Sequence, residues 1–211
     1  MTMDLNRKAA SRRSRSYSLL ARFFLEPVDR PLLQELASAF EAAQDEGRGG
    51  SDEYFALQAA TARALDLPGE LKELQIEFAC LREGLVPDVA GPDHVGVELR
   101  MLSLLCAGEL EAWRSGDERK VRAVLRQEMR FLDDYVMPWL PALGTRVAEL
   151  TAHPFCIALV AVTAQACRRD RDDIDIFMQD AVTVTPWRAF RGSAGPAAAR
   201  HAPDQSRRAV Y

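Results

Sequence analysis

Apolar residues recur along this chain at intervals of three and four, the spacing of one helical face, and hardly ever at the interval of two that marks a strand. Tyr17, Leu20 and Phe24 open the series and predict a helix that stops near Glu26-Pro27. Pro31, a favoured first-turn residue, starts a second, with Leu32, Leu33, Leu36, Ala39 and Phe40 on one side, ended by Gly47-Arg48-Gly49-Gly50. Ser51 is placed to cap a third helix carrying Tyr54, Leu57 and Leu65, which ends at Leu67-Pro68-Gly69. A fourth holds Leu71, Leu74, Phe78 and Leu81, and the stretch from Gly84 to Gly91, with Pro87 inside it, reads as a linker.

The fifth segment has the cleanest signal. Val95, Leu99, Leu102, Cys106, Leu110 and Trp113 advance by 4, 3, 4, 4 and 3 residues, one apolar face about five turns long. After Ser115-Gly116-Asp117, Val121, Leu125, Met129, Leu132 and Val136 repeat the pattern. Met137-Pro138-Trp139-Leu140-Pro141 reads as a rigid bend, because each proline fixes φ and removes a backbone donor. A seventh helix is expected from His153-Pro154, with Phe155, Leu159, Val162 and Ala166 inward. Val182-Thr183-Val184 alternates like a strand but is too short to form one. Short links between consecutive amphipathic helices make them antiparallel neighbours. The expected fold is therefore an all-α, single-domain helical bundle of about seven or more helices over residues 1–188. Residues 189–211, rich in Gly, Ala, Pro, Ser and Arg without a periodic apolar set, are expected to be a disordered tail.

A chain of 211 residues, 48% hydrophobic and 27% charged, can bury a sizeable core without a disulfide or metal staple. Cys80, Cys106, Cys156 and Cys167 are scattered, form no Cys-x-x-Cys pair and read as small buried hydrophobes in a reducing compartment. Charge is uneven: residues 1–30 carry seven basic and three acidic side chains, residues 31–180 carry 15 and 27, and residues 181–211 carry five and one. The acidic middle disfavours nucleic acid, whose affinity comes from neutralising phosphates, and favours a basic partner. Arg12-Arg13 followed by Leu19-Leu20 superficially resembles a twin-arginine export signal, but Arg22 and Glu26 interrupt the apolar run that such a signal requires. No stretch approaches a membrane span, so a cytoplasmic protein without stable membrane insertion is expected.

Candidate chemistry is sparse. No phosphate-cradling loop or dinucleotide glycine run is present. His94, His153 and His201 have no helical partner ligand that would frame zinc. Asp172, Asp173 and Asp175 lack the glycine and terminal glutamate of a calcium loop and read as a solvated surface. No catalytic group, metal or cofactor is assigned. The polar group that stands out is Gly91-Pro92-Asp93-His94-Val95-Gly96-Val97-Glu98-Leu99. Proline and an acid suit the first turn of a helix, where N–H groups are unpaired and the dipole favours negative charge. One turn separates His94 from Glu98, so the two side chains can meet. A helix cap, a binding role for Asp93, His94 and Glu98, and catalysis by them all fit these residues.

Pro92-Asp93-His94-Val95-Gly96-Val97-Glu98-Leu99 resembles the Pro-Asp-His-(apolar)-x-x-Glu-Leu signature of the redox-enzyme maturation chaperones that include TorD, DmsD and NarJ. Trp139-Leu140-Pro141 is similar to the Trp-x-Pro that follows the next helix in that family. Pro154-Phe155, Arg15-x-Tyr17 with Leu20-Ala21 and Phe24, and Leu74-x-x-Glu77-Phe78-x-x-Leu81-x-x-Gly84 follow in the family's order, and the resemblance spans roughly Ser14 to Arg169. Two departures are Arg82, where many members carry an aromatic, and the direct passage from Gly84 to Pro92, where the family usually inserts a longer loop.

The resemblance implies an all-helical, TorD-like, non-enzymatic chaperone. It would bind the twin-arginine signal peptide or the core of a molybdopterin oxidoreductase catalytic subunit in the cytoplasm until the cofactor is inserted. It implies Asp93 and His94 as peptide contacts, with Pro92 and Glu98 beside them and Tyr17 and Phe78 as groove walls, and it is compatible with a homodimer. An acceptor pair at Asp93 and Glu98 suits guanidinium groups, and the apolar side chains suit the leader's apolar run. The alternatives are a helical adaptor that binds a folded partner and a small metal-dependent hydrolase using His94, Asp93 and Glu98.

Overall fold

The structure, a computed structural model, describes residues 2–45, 50–85 and 94–190, with side chains over 4–45, 50–84 and 94–179. Among the described residues eight α-helices follow one another: α1 (Thr2–Leu25), α2 (Arg30–Asp45), α3 (Asp52–Asp66), α4 (Pro68–Leu85), α5 (Val95–Ser115), α6 (Glu118–Phe131), α7 (Leu140–Leu150) and α8 (Pro154–Phe190). No strand occurs among the described residues, so the fold is all-α as the spacing predicts. The described residues up to Asp175 form one compact unit, and 176–190, the end of α8, belong to a second. Residues 191–211, most of the expected tail, lie outside the described residues, as does most of the expected linker.

Local chemistry sets the helix ends. Ser51 accepts from the N–H of Tyr54 and caps α3, and Asp117 accepts from the N–H groups of Arg119 and Lys120 and caps α6. Gly116, at φ 70°, closes α5 in the left-handed conformation that glycine reaches without a Cβ penalty. The N–H of Met137 reaches the carbonyl of Leu132 at 2.8 Å, five residues back. Leu132–Val136 is thus one π-helical turn continuing from α6.

Two elements differ from the sequence expectation. The proline-rich bend leads directly into α7, because Pro141 stands in its first turn, where the missing N–H is no loss. Leu140, Leu143 and Val147 bury one face of α7. The first helix begins at Thr2, long before Tyr17, because its polar half is held by tertiary contacts to α5. Val182–Val184 is helical, within α8.

The helices α1 and α5 form the central antiparallel pair. Phe24 and Leu25 face Gly96. Ser14 and Ser103 exchange hydrogen bonds, each hydroxyl donating to the other's carbonyl, at 2.9 and 2.8 Å. Arg13 pairs with Glu109, and the Arg7 guanidinium donates to the Trp113 carbonyl at 3.2 Å. Phe23, Phe78 and Phe155 meet at centroid distances of 5.6 to 6.1 Å and tie α1, α4 and α8 into one core. Leu32, Leu33, Leu36 and Phe40 are buried on α2 as expected, while Ala39 is exposed, and Tyr54 of α3 lies edge-on to Phe40 at 4.9 Å.

Candidate functional site

His94 is where the sequence signal and the fold meet. It is the N-cap of α5, in extended conformation, and its Nδ1 accepts from the N–H of Gly96 at 3.1 Å. Burial pushes the imidazole below its ordinary pKa, which favours the neutral ring that this bond requires and places the remaining proton on Nε2. A narrow crevice of about 10 Å³ opens beside the ring, walled by Phe24, Phe78, Leu81 and Arg82 and, from the far side, by Val147 and Leu159. Arg82 also donates to the carbonyl of Glu26 at 2.5 Å, holding the chain just after α1. That contact gives a physical role to the cation where the resembled family often has an aromatic.

The remaining expected site residues fall into two groups. Pro92 and Asp93 lie outside the described residues. Tyr17, Phe78 and Glu98 are 2%, 2% and 4% exposed, so they stand inside the protein, with Phe78 alone of the three reaching the crevice. The Glu98 N–H donates to the His94 carbonyl at 3.1 Å, and its carboxylate turns inward. Burial, with Cys167 and Asp170 nearby, pushes the Tyr17 hydroxyl well above its ordinary pKa, so it remains a neutral phenol.

Charge is segregated by helix. Helix α1 carries six basic residues and one acidic, and α6 five and two. Helices α2, α3 and α4 together carry ten acidic residues and four basic. The crevice at His94 borders α4, from which Phe78, Leu81 and the cationic Arg82 line it.

A buried polar cluster that the sequence reading did not find lies about halfway along the α1–α5 pair. Arg13 pairs with Glu109, reaches Glu128 at 3.3 Å and faces Asp170 at 3.9 Å. The indole N–H of Trp113 donates to Glu109 at 2.8 Å. Burial opposes the charge of Arg13, but the surrounding acids outweigh it and keep the guanidinium ionised. Burial raises the pKa values of Glu109, Glu128 and Asp170, that of Glu128 up to about 8, so the cluster holds a proton at neutral pH.

Cys106, Glu109 and Glu128 have ligand atoms within 4.8 Å of one another, close enough to grip a metal ion. The Arg13 guanidinium already supplies a cation to two of the three. Burial also pushes the Cys106 thiol far up, in the protonated form that does not ligate. The sequence did carry a signal for this cluster. Glu109 stands three residues after Cys106 and four before Trp113, and Glu128 three after Leu125 and four before Leu132. Both are acids placed on apolar stripes.

Residues 82–144 match the family model described as nitrate reductase delta subunit. The matched segment runs from Arg82 through His94, α5 and α6 to the Trp139-Leu140-Pro141 bend and the start of α7. The resemblance to the NarJ- and TorD-type chaperones thus holds over that segment. No curated protein and no solved structure matches the chain.

Proposed function

We propose that this protein is a maturation chaperone for the catalytic subunit of a molybdopterin oxidoreductase, acting by binding and release rather than by catalysis. The observation that carries this reading is the match of residues 82–144 to the nitrate reductase delta subunit, a family of molybdoenzyme maturation chaperones. The described cavities also favour binding over chemistry. The crevice at His94 is apolar and narrow, with a neutral imidazole already engaged as a helix cap.

In this reading the ligand is the twin-arginine leader or N-terminal region of the enzyme subunit. The crevice has room for about one water, so the apolar side chains of the leader lie across its mouth, beside His94 and Arg82. The leader's arginines meet acceptors at the start of α5, where Asp93 directly precedes His94, and along the acidic α4. Tyr17, Glu98 and the buried phenylalanines support the walls from behind and hold the α1–α5 spacing on which the crevice depends. No helix among the described residues is long and apolar enough to cross a membrane; the place of action in this reading is the cytoplasm, before export.

Calorimetric titration of the purified protein with molybdoenzyme leader peptides tests the proposal. Saturable binding is expected for one leader, weakened at least about tenfold when its arginine pair becomes alanine or when the protein carries Asp93→Ala. Absence of binding to every leader and to the full-length catalytic subunits would overturn it.

A further inference from the structure

A second concavity lies between α7 and α8. Leu140, Gly144 and Val147 of α7 and Ile157, Ala161 and Ala164 of α8 line an open groove of about 320 Å³. Val147 and Val160 line both this groove and the crevice at His94. The lining residues run from Leu140 to Val147 on α7 and from Ile157 to Arg168 on α8, about 10 and 16 Å of helix axis. Two to three helical turns of another chain have that length. Ile157, on the wall, is 42% exposed.

Gly144 stands inside α7, where glycine is less stable than alanine. Its conformation does not call for glycine, since Gly116 is the described glycine with positive φ. Internal packing does not call for it either. A Cβ added at Gly96 would strike Leu25 at 2.6 Å and one at Gly84 would press on Leu150 at 3.0 Å, but one at Gly144 would meet no neighbouring atom within 4 Å. The side chain is therefore missing where only a group from outside the described chain can use the space. The polar edge of the groove is also set. Ser51 donates to the Gln165 carbonyl oxygen at 2.7 Å, and the Gln165 amide donates to Glu53 at 2.7 Å. Its own backbone N–H, with Ser51 and Gln165, holds the Glu53 carboxyl below its ordinary pKa, so this acid is ionised and engaged. Arg168, exposed one turn further along α8, has no ion-pair partner among the described residues.

We propose that the α7–α8 groove is a docking site for a short aliphatic helix of a partner polypeptide, seated over Gly144 with an acidic residue against Arg168. Two helices with small residues facing one groove let a third approach closely, and its aliphatic side chains fill the space between them. The groove is open along one side, so a bound acyl chain would keep much of its surface in water, whereas a helix needs to bury only one face. One cation in the lining cannot neutralise a run of phosphates, which argues against nucleic acid. The carboxylate on the incoming helix supplies the counter-charge that Arg168 lacks. The site goes beyond the reading given for the His94 crevice and stands whether or not a leader peptide binds there.

The probe is a fluorescein-labelled synthetic helix with leucines along one face, alanines elsewhere and one glutamate flanking the leucines, followed by fluorescence anisotropy with the full chain. Saturable binding is expected. Gly144→Leu fills the groove from a position where the added atoms meet nothing of the chain itself, so it should keep the thermal midpoint or raise it while weakening binding at least about tenfold. Arg168→Glu should weaken binding several-fold, and a peptide with lysine in place of glutamate should recover it. His94→Asn should leave the affinity unchanged. Circular dichroism checks that each variant folds, and Gly144→Ala, expected to raise the thermal midpoint and weaken binding several-fold, is the milder substitute. No saturable binding, equal affinity in folded Gly144→Leu, or Gly144-dependent binding of decanoate in place of the peptide would each overturn the proposal.

Discussion

The two ends of the α1–α5 pair are built from the same two helices and present opposite surfaces. At the His94 end the helices nearly touch, because Gly96 has no side chain to hold Phe24 and Leu25 away. The space left there is narrow and apolar, beside an acidic helix. At the Arg114 end, long cationic side chains hold a groove open, and it is basic. Between them sits the Arg13 cluster, which joins α1 to α5, α6 and α8 through ion pairs. The two ends of one helix pair thus differ in shape and charge, with a polar joint between them whose position is set by directional bonds. Apolar packing alone would allow the helices to slide by a turn. Three carboxylates around one guanidinium, and the reciprocal Ser14–Ser103 bonds, allow one register.

The largest effect should come from breaking that joint. Arg13→Leu leaves Glu109, Glu128 and Asp170 buried without their cation, and removing one partner of a buried ionic group costs about 3–5 kcal/mol. Urea denaturation of the full chain should show a loss of that size, with both ends of the pair affected together. A loss below about 1 kcal/mol, the range of a surface pair, would mean that the cluster does not set the register.

The sequence makes one end of this comparison legible and hides the other. The three- and four-residue spacing locates α2 to α6 and the start of α8, since apolar stripes are what the core reads. It even places Leu99, Leu102, Cys106 and Trp113 inside, where they are buried. It misplaces Leu110, which is half-buried while Glu109 goes inward, because a hydropathy pattern has no term for an acid paired with an arginine from another helix. The same blindness hides the first half of α1, where Ala10 and Arg13 are the inward residues and no apolar stripe forms. The summed charge of the middle segment is likewise a poor guide to local fields. Several of its acids are buried, and the basic side chains of α1 and α6 gather by helix. The His94 motif was visible for a simpler reason: an acceptor at a helix start serves the cap whatever else it does.

A smaller effect sharpens the contrast at the narrow end. A Cβ at Gly96 would lie 2.6 Å from Leu25 Cγ and 3.1 Å from Phe24 Cβ. Leu25 is exposed and can swing aside, but the Phe24 Cβ is fixed to the helix backbone. Gly96→Val should therefore push α1 from α5 and cost about 1–3 kcal/mol, read as a lowered thermal midpoint. The Arg114 end, about 27 Å away, should keep its amide hydrogen-exchange protection. Loss of that protection in a folded Gly96→Val protein would show that the two ends are coupled rather than separate.

The smallest effect concerns protons at His94. Its neutral Nδ1 is the acceptor that caps α5, and burial lowers its pKa in the folded state. In the unfolded chain the ring titrates near 6.5. A base whose folded pKa is depressed binds fewer protons folded than unfolded, so stability rises with pH through that interval. The contribution is complete above about 6.5 and is lost as pH falls through the window down to the lower folded pKa, where the cap itself protonates. His94→Asn keeps a side-chain oxygen for the Gly96 N–H and has no titration. It should leave stability at pH 7.5 within about 0.5 kcal/mol and flatten the dependence below about pH 6.5. Chemical denaturation of the two proteins across that range measures the difference. An equal slope in both would mean that His94 does not set the acid sensitivity; the buried carboxylates, whose pKa is raised in the fold, act with the opposite sign and favour the native state as pH falls. A steeper fall in the natural protein than in His94→Asn therefore isolates the narrow end from the Arg13 joint within one experiment.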